Sequence, residues 1–222
     1  MRSNEFLDRF GKHNACFSRS DAEQRSMKLR NGLLTPRGAR GPQAPHLEPV
    51  HMARLTIALA AAETAPQAAD TVVKYARLTA IGERWFDGAD DFEQALTAIF
   101  TDSDIVRQVE TVSICRSWPQ AAIILTDGRQ FTFSTLEPPT PEKMTCRIDY
   151  RIGSRFFLEI NCQLEVKTIM QDLKTKIKTN ADSDAYFLYI QRMTKIGEEQ
   201  GGDAARAWVK ANPFQGSKDK EE

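Results

Sequence analysis

Between Glu23 and Glu48 the chain carries Arg25, Lys28, Arg30, Arg37 and Arg40 with no acidic residue among them. Clustered cations of this kind suit phosphate, because each neutralised phosphate releases condensed counterions. Gly38 and Gly41, interleaved with Arg37 and Arg40, would let the backbone come close to a groove. The competing reading is a solvated helix face and loop. His13, His46 and His51 are the only histidines, and neither a helical two-histidine pair nor a cysteine stands at metal-ligand spacing, so no metal is expected. The chain has no Gly-x-Ser-x-Gly elbow, dinucleotide fingerprint or Walker loop, so neither an enzyme nor a cofactor is expected.

Two further groups invite chemistry. Asp87, Asp90, Asp91, Glu93, Asp102 and Asp104 read better as helix flanks than as a metal or acid–base cluster, since acids concentrate at helix N-termini. Phe131, Phe133, Tyr150, Phe156 and Phe157 would make a stacking platform for single strands, but an alternating aromatic set is more often sheet core.

These residues need elements to hold them. Phe6, Leu7 and Phe10 share a helical face within Asn4 to Phe10. A second helix, capped by Ser20 or Asp21, runs through Met27 and Leu29 to Gly32. Thr35 to Pro45 holds three prolines and two glycines in eleven residues and reads as an extended loop or β-wing. Helices are expected over Glu48 to Ala62, Ala65 to Leu78 and Asp91 to Phe100.

Beyond Arg107 the period becomes two. Val109 to Cys115 alternates, and Ala121 to Thr126 with Gln130 to Ser134 flank Asp127-Gly128, which predicts a two-residue turn with both residues at positive φ. Cys146 to Ile152 and Phe156 to Cys162 alternate about Gly153-Ser154, predicting a second hairpin across which Cys146 and Cys162 could meet. Helices then follow over Lys167 to Lys178, Ala185 to Ile196 and Asp203 to Lys210, with a polar tail after Gln215. The fold class expected is α+β: an N-terminal helical, winged helix-turn-helix-like module, then an antiparallel meander of about five strands with C-terminal helices.

Leu29-Arg-Asn-Gly-Leu-Leu-Thr-Pro-Arg, followed by the arginine-bearing glycine loop and a helix, resembles the winged helix-turn-helix of MerR-type regulators and the N-terminal regions of uncharacterised bacterial prophage proteins. The likeness covers about residues 1 to 65. It implies DNA contacts from Arg25, Lys28 and Arg30 on the second helix and phosphate contacts from Arg37 and Arg40 on the wing. After Pro36 the family's aromatic wing residues are replaced by Gly-Ala-Arg-Gly-Pro.

Thirty basic and thirty acidic residues cancel over the 222, yet residues 1–80 hold 12 basic against 7 acidic and residues 81–166 hold 8 against 14. The domains expected are therefore a basic module at 1–80, an acidic helical junction at 81–107, a sheet with helices at 108–214 and a tail at 215–222. No apolar run approaches the roughly 20 residues of a membrane span, and no secretory pattern opens the chain, so a cytoplasmic protein with reduced thiols is expected. The leading functional expectation is a DNA-binding transcriptional regulator of phage or prophage type acting on double-stranded DNA. The alternative is a protein-interaction or assembly factor, such as a phage inhibitor or packaging component, without DNA binding. Phe187, Leu188, Ile190 and Trp208 are open to covering the sheet or forming a homodimer contact.

Overall fold

The computed structural model describes residues 1–14, 18–37, 45–82, 88–135, 148–175, 188–189, 191–192, 195–196 and 202–212. The chain is α+β. Helices α1 (Ser3–His13), α2 (Arg19–Asn31), α3 (Pro49–Ala61) and α4 (Ala68–Ala76) come first. Then follow β1 (Thr79–Ile81), α5 (Phe92–Thr101), α6 (Ser103–Gln108), β2 (Val109–Cys115), β3 (Gln120–Leu125), β4 (Gln130–Ser134), β5 (Asp149–Gly153), α7 (Ser154–Thr175) and α8 (Gly202–Ala211). Compact units span Met1–Asn161 and Cys162–Glu222. The helical front and the sheet share the first unit, which ends at Asn161. No described helix is long and apolar enough to cross a membrane.

All five strands are antiparallel, in the order β1-β4-β3-β2-β5. On one face Val112 and Ile114 lie opposite Ile123 and Ala121, and Ile152 and Phe133 extend the row. All six are buried. The tight turn differs from expectation. Leu125 N–H donates to the Arg129 carbonyl (2.8 Å) and Gly128 N–H to the Leu125 carbonyl (3.0 Å), so the loop has three residues. Only Gly128 takes positive φ (86°), which is a type I turn closed by a glycine bulge.

The expected fifth strand is corrected more deeply. Phe156 to Cys162 lies in α7, which starts directly after β5, and the fifth strand is instead β1, paired with β4. Phe156, Phe157, Ile160 and Asn161 face inward, a helical spacing, while Leu158 is exposed. Phe156 and Phe157 complete a ring cluster with Phe6 and Phe10 of α1 and Phe100 of α5, at centroid distances of 5.2 to 6.5 Å. Tyr150 stacks on Phe10. Phe131, Phe133, Phe156 and Phe157 are core, and Tyr150 is half-buried against Phe10, so the five form no exposed stacking platform.

At the rim of this cluster Glu159 receives His13 Nε2 at 2.6 Å and the Arg9 guanidinium. Burial alone would raise the Glu159 carboxyl, but the His13 hydrogen bond and the charges of Arg9 and Lys12 hold it below the usual range. Within the second unit, Tyr189 packs on Trp208 at 4.9 Å and its hydroxyl donates to the Asn212 carbonyl (2.8 Å). The Cys146–Cys162 pairing cannot be placed, because Cys146 lies outside the described residues; Cys115 is a buried thiol.

Helix α3 is buried over most of its length, with Met52, Leu55, Ile57 and Leu59 wholly enclosed and the polar His51 and Arg54 only partly exposed near its start. Its first turn accepts Pro49, and the Glu48 N–H donates to His51 Nδ1 at 3.2 Å. That bond needs a neutral imidazole. Burial, with a smaller push from Arg54 and against Glu48, holds the His51 pKa below its ordinary 6.5. A depressed histidine favours the fold above pH 6.5 and loses that contribution as pH falls through its folded value. The urea midpoint should therefore drop between pH 7.5 and 5 by more in the wild type than in His51→Asn, which retains a cap without titrating.

Candidate functional site

Of the five cations expected on one surface, Arg25 is set apart from Lys28, Arg30 and Arg37 by burial. Arg25, 4% exposed, points from α2 against the end of α3. Its Nε donates to Asp21 (2.7 Å), Nη1 to the Ala58 carbonyl (3.0 Å) and to that of Ala62, and Nη2 to the Glu63 carbonyl (3.3 Å). Arg116, from the turn after β2, donates to the carbonyls of Ala60 (2.5 Å) and Leu59 (3.3 Å). The last four carbonyls of any helix lack intrahelical partners, and α3 ends in extended Ala62 without a glycine cap. Two guanidinium groups do that work from outside. Arg25 is therefore corrected from a phosphate contact to a structural cap.

Arg37 is exposed, but its Nε and Nη2 donate to the carbonyls of Arg30 (3.1 Å) and Asn31 (2.8 Å), which caps α2 in the same manner. Lys28 and Arg30 are half-buried in the last turns of α2, where the helix dipole favours cations. Arg40 and the expected wing, residues 38–44, lie outside the described residues. The structure thus gathers Lys28, Arg30 and Arg37 at one helix end and removes Arg25.

What sequence reasoning missed sits at that same end. Leu34 N–H donates to the Leu29 carbonyl (3.0 Å) and Leu33 N–H to that of Arg30 (3.2 Å), the bond pair of a Schellman terminus. The residue in the left-handed position is Leu33, at φ 60°, while Gly32 beside it has φ −78°. Gly32 is needed for space instead. A Cβ there would stand 3.3 Å from Ala69 Cβ on α4, so the glycine lets the two helices close. Leu33 is 71% exposed, and Val73, one turn beyond Ala69 on α4, is exposed too. The only sequence signal was Gly-Leu-Leu, which reads as a glycine cap.

The acidic residues resolve into caps and pairs. Asp91 accepts from the Gln94 N–H (2.8 Å), Asp102 from those of Asp104 (2.7 Å) and Ile105, and Glu93 holds Arg54 in a two-pronged contact; Asp87 is outside the described residues. His51 is engaged at the α3 cap, His13 at Glu159, and the Met1 amine lies 3.4 Å from His46 Nδ1. Among the described residues no three His, Cys, Asp or Glu are grouped to hold a metal.

Between α4 and the turn after β2 lies a separate open cleft of about 390 Å³. Tyr75 and Trp118 line it, with Glu63, Asp70 and Lys74 at its rim. No family model, curated protein or solved structure matches the chain.

Proposed function

We propose that the chain is a protein-interaction or assembly factor whose α2 terminus meets an acidic protein surface. The observation that carries this reading is Leu33. A side chain in the left-handed region costs about 1 kcal/mol, and this one buries little of its apolar surface within its own unit in return. Exposed, held rigidly and flanked along the chain by Lys28, Arg30 and Arg37, Leu33 has the character of an interface anchor with a cationic rim. Duplex DNA is the competing partner for the same cations, as the MerR-type likeness implies.

Leu33→Gly separates the local cost from the function. It should raise stability by about 0.5–1 kcal/mol, measured by urea unfolding, because glycine takes positive φ freely. The same change should weaken partner affinity about tenfold or more. Complexes that survive nuclease treatment, and that Leu33→Gly and Arg37→Glu each disrupt, are the expected result. Salt-dependent duplex binding in anisotropy, lost in a Lys28→Ala, Arg37→Ala double variant and untouched by Leu33→Gly, would establish the transcriptional regulator instead.

A further inference from the structure

We infer that Asn31 is a site of covalent modification, where the Gly32 backbone nitrogen displaces the side-chain amide at a rate set by opening of the α2 terminus. The inference rests on the helix end itself and not on the partner proposed for it.

Asn31 is the one asparagine of six that a glycine follows. The residue after an asparagine decides how closely its backbone nitrogen can approach the asparagine Cγ, and glycine, lacking Cβ, hinders that approach least. Both residues are exposed, so solvent water reaches them. In the reaction the Gly32 nitrogen loses its proton and bonds to Asn31 Cγ, the Cγ–Nδ2 bond breaks, and the amide leaves as ammonia, carrying a proton supplied by solvent. Water then adds to either carbonyl of the five-membered imide. One opening yields aspartate, and the other yields isoaspartate, in which the main chain runs through the side chain. Water is the only co-reactant, and nothing is oxidised or reduced.

The closed helix end withholds this geometry. Asn31 is the last residue of α2, and the Gly32 N–H donates to the Lys28 carbonyl at 2.9 Å, so it points back along the helix with its proton engaged. Attack requires Asn31 to leave the helical conformation and that bond to break. Arg37 opposes this by donating to the carbonyls of Arg30 (3.1 Å) and Asn31 (2.8 Å), and Leu34 N–H opposes it through the Leu29 carbonyl (3.0 Å). Leu33 works the other way, since a side chain at φ 60° is strained and relaxes when the end opens. Helix termini are among the parts of a fold that open most readily. The product sets a carboxylate beside Lys28, Arg30 and Arg37, and isoaspartate also lengthens the main chain between Arg30 and Gly32. Asp127-Gly128 is not equivalent. Its carboxylate accepts from the Arg129 N–H (3.0 Å) and Nε (2.7 Å) and is a poor electrophile while ionised.

The test is incubation of the full-length protein at mildly alkaline pH, folded and in denaturing urea, with the tryptic peptides carrying residue 31 followed by mass and by isoaspartyl content. Conversion in the folded chain is expected at about one-tenth of the rate in urea, because only the open fraction of the helix end reacts. Arg37→Ala should speed conversion of the folded chain about three- to fivefold, and Leu33→Gly should slow it about two- to fivefold. Both variants should match the wild type in urea, where no helix end is left to open. Equal rates in the folded and unfolded chain, no product at Asn31 in the folded chain, or indifference of the folded rate to either substitution would each overturn the inference. Slower conversion in Arg37→Ala would overturn it too, since the guanidinium would then be activating the Gly32 nitrogen instead of holding the end closed.

Discussion

Arg25→Ala is expected to destabilise the chain by about 2–4 kcal/mol, seen as a lowered urea midpoint of unfolding. The buried guanidinium serves the carbonyls of Ala58, Ala62 and Glu63, and removing it strands acceptors that water reaches poorly. A buried acceptor left without its donor costs about 1–3 kcal/mol, and the groups relax only in part. Arg25→Lys should recover little, because one ammonium cannot span three carbonyls and Asp21 together. Arg37→Ala, removing the same kind of cap from an exposed position, should cost no more than about 1 kcal/mol. Arg116→Ala combined with Arg25→Ala should depart from additivity, because both residues serve the end of α3. A phosphate-contacting Arg25 would behave oppositely, leaving the unfolding midpoint unmoved and weakening DNA affinity.

Arg25 also marks where sequence reading ends. Helices α1 to α5 and the three strands β2 to β4 were legible because each repeats its own period over enough residues, as Phe6, Leu7 and Phe10 do on α1, whereas the six-residue α6 and the start of α7 were not. Glycine at a turn was legible at Gly128, although the number of turn residues was not. The three-residue strand β1 is too short for any period to appear, and it exists because β4 offers an edge 55 residues away. Arg25 is separated from the carbonyls it caps by 33 to 38 residues, so no local pattern distinguishes it from a solvent-facing cation. The same blindness covered Leu33. Its left-handed backbone closes the end of α2, while Gly32 beside it is taken up by the close approach to Ala69 on another helix, so the glycine pointed one residue too early.

Phe157 and Leu158 give the fold its sharpest test, because strand and helix assign them opposite fates. Alternation through Phe156, Leu158, Ile160 and Cys162 would bury Leu158 and turn Phe157 outward. In α7 Phe157 is instead fully buried against Phe100 and Phe156, with ring centroids 5.3 and 5.2 Å away, and Leu158 is 40% exposed. Phe157→Ala should therefore cost about 3–5 kcal/mol and Leu158→Ala about 0.5 kcal/mol or less, both read from urea unfolding. The reverse order would restore the hairpin and remove the helix. The helix prevails because the rings of α1 and α5 demand partners spaced i, i+1 and i+4, which Phe156, Phe157 and Ile160 satisfy together. A strand through the same residues would present only alternate side chains to that cluster. High local β-propensity is thus outweighed by one more large ring in the core, an advantage that each of the two alanine substitutions weighs separately.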